Sequence, residues 1–175
     1  MKFSITQDFP ARLDTLWAVF GRPEYALRKY HSLGARAVRL RRFHATAQAI
    51  EVELERDVSV DPNRLPRWVR TFIGREQTLR HRTRWRRTGP KQVAAELDIS
   101  LVGLPVSAHG VGVIAETALG TTRMVLSWQV RTTLPIMGSP LERLFAGQIR
   151  AALDADHAFT LQYLQCAHVD RRQPA

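Results

Sequence analysis

The order of patterns along the chain predicts an α+β fold: a seven-stranded antiparallel curved sheet around a long C-terminal helix, with two short helices between strands 1 and 2. Three observations carry this expectation. Residues Ala35 to Thr133 read as strand after strand, broken by Asp61-Pro62-Asn63, Gly74, Gly89-Pro90, Gly103 to Pro105 and Gly120. An amphipathic segment from about Pro140 to Gln165 comes last. One strand and two short helical patterns come first. With 175 residues and 45% hydrophobic content, the chain fits one globular domain over 1–166, with 167–175 as a flexible tail.

Lys2 to Phe9 alternates, with Phe3, Ile5 and Gln7 on one side, and Pro10 closes this first strand. Leu13, Leu16, Trp17 and Phe20 then recur at helical spacing up to Gly21. Pro23 suits the first turn of a second helix that runs to about Ser32 and leaves through Leu33-Gly34. Six strands are expected at 36–44, 47–57, 75–87, 91–102, 106–118 and 121–133. Gly110-Val111-Gly112 lies inside the fifth of these and predicts a bend or bulge.

The net charge of +10 comes almost wholly from arginine, since only Lys2, Lys29 and Lys91 are lysine. Such a balance suits an anionic membrane surface or nucleic acid, and it equally suits a compositional bias towards arginine. Placement separates the two. Arg80, Arg82, Arg84 and Arg86 alternate with Leu79, His81, Thr83 and Trp85, while Glu51, Glu53, Glu55 and Glu96, Asp98 alternate in the adjoining strands. In a meander the arginine row lies between two acidic rows and neutralises itself through cross-strand pairs. Arg36, Arg39, Arg41 and Arg42, with Arg64, Arg67 and Arg70, form a freer cluster that could meet an anionic surface. Nucleic acid is the weaker partner, because few aromatics interleave with these arginines.

Val60 to Gly74 holds two prolines, basic residues and large apolar ones. Trp68, Phe72 and Ile73 within it form either a plug at one end of the sheet or a lid over the interior.

On the terminal helix one stripe gathers Leu141, Leu144, Phe145, Gln148, Ile149, Ala152, Phe159 and Tyr163, and Asp156 falls inside it. A carboxylate there needs a partner or a wet cavity. It sits near an open end, or pairs with a core arginine or histidine, or it anchors a ligand in an apolar pocket. His81 and His109 fall on strand faces assigned inward, the second beside Val111 and Val113. Either could be a satisfied core histidine, or could do acid-base work if it met Asp156. The lone Cys166 has no disulfide partner and is expected to pack on the helix.

No Walker sequence, HExxH or nucleophile elbow is present. No cofactor or metal is expected. No run of about 18 apolar residues could span a bilayer and the first residues lack a signal-peptide pattern, so the expected location is cytoplasmic.

The opening Lys2-Phe3-Ser4-Ile5-Thr6-Gln7-Asp8-Phe9-Pro10-Ala11, the following Leu16-Trp17-Ala18-Val19-Phe20 and the final helix resemble the START-like helix-grip superfamily, also called SRPBCC. It includes the birch-pollen allergen, lipid-transfer domains and polyketide cyclases. The chain looks like a bacterial branch of uncharacterised proteins, for which Leu65-Pro66 to Gly74 is also familiar. The resemblance implies an apolar cavity between sheet and helix. Mapped onto this sequence, its lining comes from Leu79, His81 and Trp85, from Leu97, Ile99 and Leu101, and from Val111, Val113 and Ala115. Met124, Leu126, Trp128 and Val130 add to it, facing Phe145, Gln148, Ala152, Asp156 and Phe159. No catalytic residue is implied.

Binding or carrying a small hydrophobic molecule, lipid-like or polycyclic, is therefore the leading expectation, ahead of catalysis. A cyclase or hydratase using Asp156 with His81 or His109 is the alternative. A basic module docking on an anionic membrane or nucleic acid is the third.

Overall fold

The computed structural model describes residues 1–59, 67, 70, 74–133 and 138–170, the last four as helix backbone only. The alternation at the start forms β1 (Lys2–Phe9), and the two helical patterns form α1 (Leu13–Phe20) and α2 (Pro23–Ser32). Six strands follow: β2 (Ala37–Ala45), β3 (Ala49–Ser59), β4 (Glu76–Gly89), β5 (Gln92–Leu101), β6 (Val106–Glu116) and β7 (Thr122–Thr132). The last element is α3 (Gly138–Asp170), which runs past its expected end near Gln165.

All seven strands pair antiparallel in one sheet of order β1-β7-β6-β5-β4-β3-β2. Consecutive hairpins build β2 to β7, and β1 returns to the free edge of β7. This is a meander closed by its first strand. Short connections favour such local pairings over long crossovers. Gly120 supports the β6–β7 turn at φ +73°, a conformation that side chains with a Cβ rarely adopt.

Two hydrophobic clusters fill the concave side. One joins Val93, Ala95, Ile114, Leu126, Trp128 and Val130 to Leu141, Phe145 and Ile149 of α3. The other joins Phe9, Leu16, Phe20, Tyr25 and Tyr30 to Ile50, Val52 and Leu54 of β3 and to Leu164 near the end of α3. The terminal helix thus packs along the sheet at both ends of its length, and α1 and α2 cover the second end.

The outer face of the sheet is a lattice of ion pairs. Arg80 meets Glu55 at 3.0 Å, Arg82 meets Glu51 at 3.2 Å, and Arg84 contacts Glu96. Arg80, Arg82 and Arg84 are neutralised in this way, because β4 lies between β3 and β5. The cluster on β2 was expected to be freer, and it is not. Arg39 grips Asp57 at 2.6 Å and Arg41 grips Glu55 at 2.8 Å; Arg42 reaches Glu51 at 3.4 Å, and Arg36 contacts Glu76. A register shift between Leu40 and Arg42 gives Arg41 its separate approach to Glu55. Arg64 lies outside the described residues.

Three further expectations change. Gly110 and Gly112 sit in unbroken pairing with both β5 and β7, so they mark no bulge. Each answers a close approach: a Cβ on Gly110 would lie 2.7 Å from Trp128 Cε2, and one on Gly112 would lie 1.9 Å from the Val125 carbonyl oxygen. Cys166 is exposed rather than packed. His109, Val111 and Val113 face outward. Val111 is 45% and Val113 38% exposed, while Ala108 and Ile114 are buried on the other face. The register of the β6–β7 hairpin explains this, since Gly110 stands directly opposite the buried Trp128 and directly opposed residues share a face.

Candidate functional site

Between the concave face of the sheet and α3 lies a cavity of about 610 Å³. Strand alternation delivers every second side chain of β3, β4, β5 and β7 to it. His81 and Trp85 come from β4, Leu97 and Ile99 from β5, and Leu126 and Trp128 from β7. From α3, Phe145, Gln148, Ala152 and Asp156 face these strands. Gln148 is exposed and also lines the cavity, so the space reaches the surface along that side of the helix.

Not every residue expected at the site is there. Phe159 instead packs its ring 5.9 Å from Tyr25 and 6.0 Å from Tyr163, within the cluster that closes one end. The outward turn of β6 removes His109, Val111 and Val113 from the lining. Trp68, Phe72 and Ile73 lie outside the described residues.

The cavity is apolar over most of its wall and polar at one end. There α2 presents Tyr25, Lys29 and Tyr30, β3 presents Arg56, β4 presents His81, and α3 presents Asp156 and Thr160. Pro23 at the start of α2 fixes the helix, and the i, i+4 spacing puts Tyr25 and Lys29 on the face turned to α3. Lys29 Nζ meets Asp156 Oδ2 at 3.0 Å, with the two side chains only 15% and 24% exposed. Thr160 Oγ1 donates back to the Asp156 carbonyl at 2.7 Å, so its proton is used. The Tyr25 hydroxyl, 2.7 Å away, therefore donates to Thr160. Burial raises the Tyr25 pKa further above its ordinary value. Burial works against the charge on Lys29, but the Asp156 carboxylate together with Tyr30 and Tyr25 outweighs it and the lysine pKa stands above its usual value.

His81 has a different neighbour. Arg56 Nε donates to His81 Nε2 at 3.0 Å, which makes Nε2 the acceptor and assigns the proton of the neutral ring to Nδ1. Burial first, and then the charges of Arg56 and Lys29, push the His81 pKa well below its ordinary value. The ring is neutral at pH 7. Tyr30 stands beside all of this, 5.4 Å from His81 between ring centroids, with Lys29 Nζ 4.6 Å and Arg56 Cζ 4.9 Å from its own centroid.

The pairing of Asp156 with a histidine thus gives way to two separate pairs, Lys29 with Asp156 and Arg56 with His81. His109 bonds Asp98 through Nδ1 at 2.7 Å on the outer face. There Glu96, Asp98 and His109 bring their ligating atoms within 4.8 Å of one another, and Arg84 already pairs with both carboxylates. The guanidinium supplies the positive charge that the cluster needs.

Lys29, Tyr30 and Arg56 were missed as site residues. Arg56 was legible, because it continues the inward phase of Ile50, Val52 and Leu54. Lys29 was not, since an isolated α2 pattern gives no sign that its polar edge turns towards α3.

The fold is shared widely. TTHA0849 from Thermus thermophilus is similar with a TM-score of 0.59 at 11% identity, covering 95% of this chain and 99% of that one. Ara h 8.0201 is similar with a TM-score of 0.58 at 10% identity, over 93% and 98% of the two chains. Dicamba monooxygenase, solved bound to 3,6 dichlorosalicylic acid, is similar with a TM-score of 0.55 at 11% identity; 99% of this chain covers 53% of that one. The architecture is the helix-grip fold. No curated protein matches the chain. A family model matches residues 4–164, nearly the whole of the sheet and terminal helix, and the chain belongs to the family it describes, a protein of unknown function, DUF2505.

Proposed function

We propose that the protein binds or carries a small, mainly hydrophobic molecule, lipid-like or polycyclic, between the sheet and α3. The observation that carries this reading is the cavity itself. At about 610 Å³ it falls in the range of roughly 300–1,000 Å³ common for small-molecule sites. Its wall combines aliphatic and aromatic side chains with a few convergent polar groups, the composition such sites share. Close packing is the rule in protein interiors, so a space this large in the core of a small protein calls for an occupant. Catalysis draws no comparable support, since His81 and Asp156 are each held by a different cation and His109 faces away.

Delipidated protein incubated with a cell lipid extract and analysed by native mass spectrometry tests the reading. A small-molecule mass retained on each chain is the expected result. A spectrum of bare chain only, together with no uptake of the neutral apolar dye N-phenyl-1-naphthylamine, would overturn it.

A further inference from the structure

The polar end of the cavity holds an unbalanced charge. Three ionised side chains point into it: Lys29, Arg56 and Asp156. Arg82 and Asp98 also border the space, but strand alternation turns their side chains to the outer face, where they meet Glu51 and His109. Asp156 is committed to Lys29. Arg56, only 8% exposed, has no carboxylate within ion-pair distance among the described residues. Its Nε is spent on a neutral imidazole and its face on the Tyr30 ring, and neither contact cancels the charge. The two Nη groups, with four N–H donors, have no partner among the described residues. These N–H groups are not sealed in the core but remain open to the cavity, where an anion entering it would complete the charge.

Resting on the binding function proposed above, we infer that the ligand is an amphiphile with one carboxylate, which docks on the Nη groups of Arg56. Its apolar body extends along Leu97, Trp128 and Phe145. The guanidinium fork matches a carboxylate through two parallel hydrogen bonds. One surplus positive charge is balanced by one negative charge, whereas a phosphate monoester brings nearly two. Lys29, on the same Tyr30 ring, adds a second positive field at the head group while it stays paired with Asp156.

The test compares lauric acid, dodecanol and dodecyl phosphate, which share one chain length, as displacers of N-phenyl-1-naphthylamine from the full chain at pH 8. Lauric acid should displace the dye at roughly ten- to hundredfold lower concentration than dodecanol, the usual range for a hydrogen bond to a charged group. Arg56→Met should still take up the dye and lose that preference, and Arg56→Lys should keep part of it. Equal displacement by acid and alcohol, a preference that survives Arg56→Met, or tighter binding of the phosphate would each overturn the inference. Should Arg56→Met fail to fold, the wild-type comparison and Arg56→Lys decide the question. Dye uptake without an acid preference sinks the carboxylate inference alone, while absence of dye uptake sinks the binding function with it.

Discussion

At the scale of single residues, Gly110 and His81 show how one side chain, or its absence, sets the interior. Gly110 leaves room for Trp128, a ring only 1% exposed and stacked on Phe3 at 6.3 Å between centroids. Gly110→Ala puts a methyl into that buried ring, and overpacking of this kind costs about 1–3 kcal/mol. Urea unfolding should show a loss in this range, and adding Trp128→Leu should relieve the clash even though it opens space elsewhere. Gly112→Ala collides with the backbone of Val125 instead, so no change at position 128 should rescue it. His81 is neutral in the fold and binds protons only well below its ordinary pKa. The unfolded chain protonates this residue near pH 6.5, so below that pH it takes up more protons than the native state. Stability should therefore fall as pH drops from about 6.5, by up to about 1.4 kcal/mol per pH unit from this group. His81→Gln offers Arg56 an amide oxygen in place of Nε2. Urea midpoints measured from pH 7.5 to 5 should lose that component of the slope in the variant, and an unchanged slope would clear His81 of the effect.

At the scale of elements, the contact between α2 and α3 joins the Lys29–Asp156 ion pair to the Tyr25–Thr160 hydrogen bond and to the rings of Tyr25, Phe159 and Tyr163. Removing one partner from a buried pair usually costs about 3–5 kcal/mol, because the other charge is stranded. Asp156 keeps about a quarter of its side chain in contact with solvent, so Asp156→Ala should cost somewhat less, about 2–3 kcal/mol. The pair Lys29→Met with Asp156→Leu should recover to within about 1 kcal/mol of the wild type, since apolar groups of similar size replace buried pairs well. A double-mutant cycle in urea checks both statements, and additive losses would show that the pair is not coupled. The strands themselves were legible, with each end falling within two residues of its expected place, because alternation and Gly/Pro punctuation are local signals. The facing of β6 was not. In its middle Val111 and Val113 lie on the outer side and Gly110 and Gly112 on the inner side, so the face that read as more hydrophobic there was the wrong one. The hairpin register decides that question, and shifting it by one residue would exchange the faces.

At the scale of the whole molecule, the outer sheet face pairs arginines such as Arg39, Arg41 and Arg80 with carboxylates, while the cavity stays apolar except at one end. Binding inside such a cavity should show as thermal stabilisation. A ligand at a hundred times its Kd adds about 2.7 kcal/mol. For a chain of this size that amounts to a rise in Tm of about 5–10 °C. Ala152→Trp, which places a large ring on the cavity wall of α3, should abolish the shift while the variant alone still melts cooperatively. A ligand-induced shift that persists in Ala152→Trp would place the binding elsewhere on the molecule.

By itself the sequence determined the elements and their order, because periodicity and turn chemistry act over a few residues, while the apolar space between sheet and helix was implied by the family resemblance. It also marked Asp156 as a carboxylate that needed a partner. Only the tertiary structure decided that the partner is Lys29, that Arg56 and His81 form a second pair, and that Arg56 is left without a counter-ion among the described residues. Those facts depend on which strand register and which helix approach bring residues 25 to 127 positions apart into contact, and no local pattern encodes such distances.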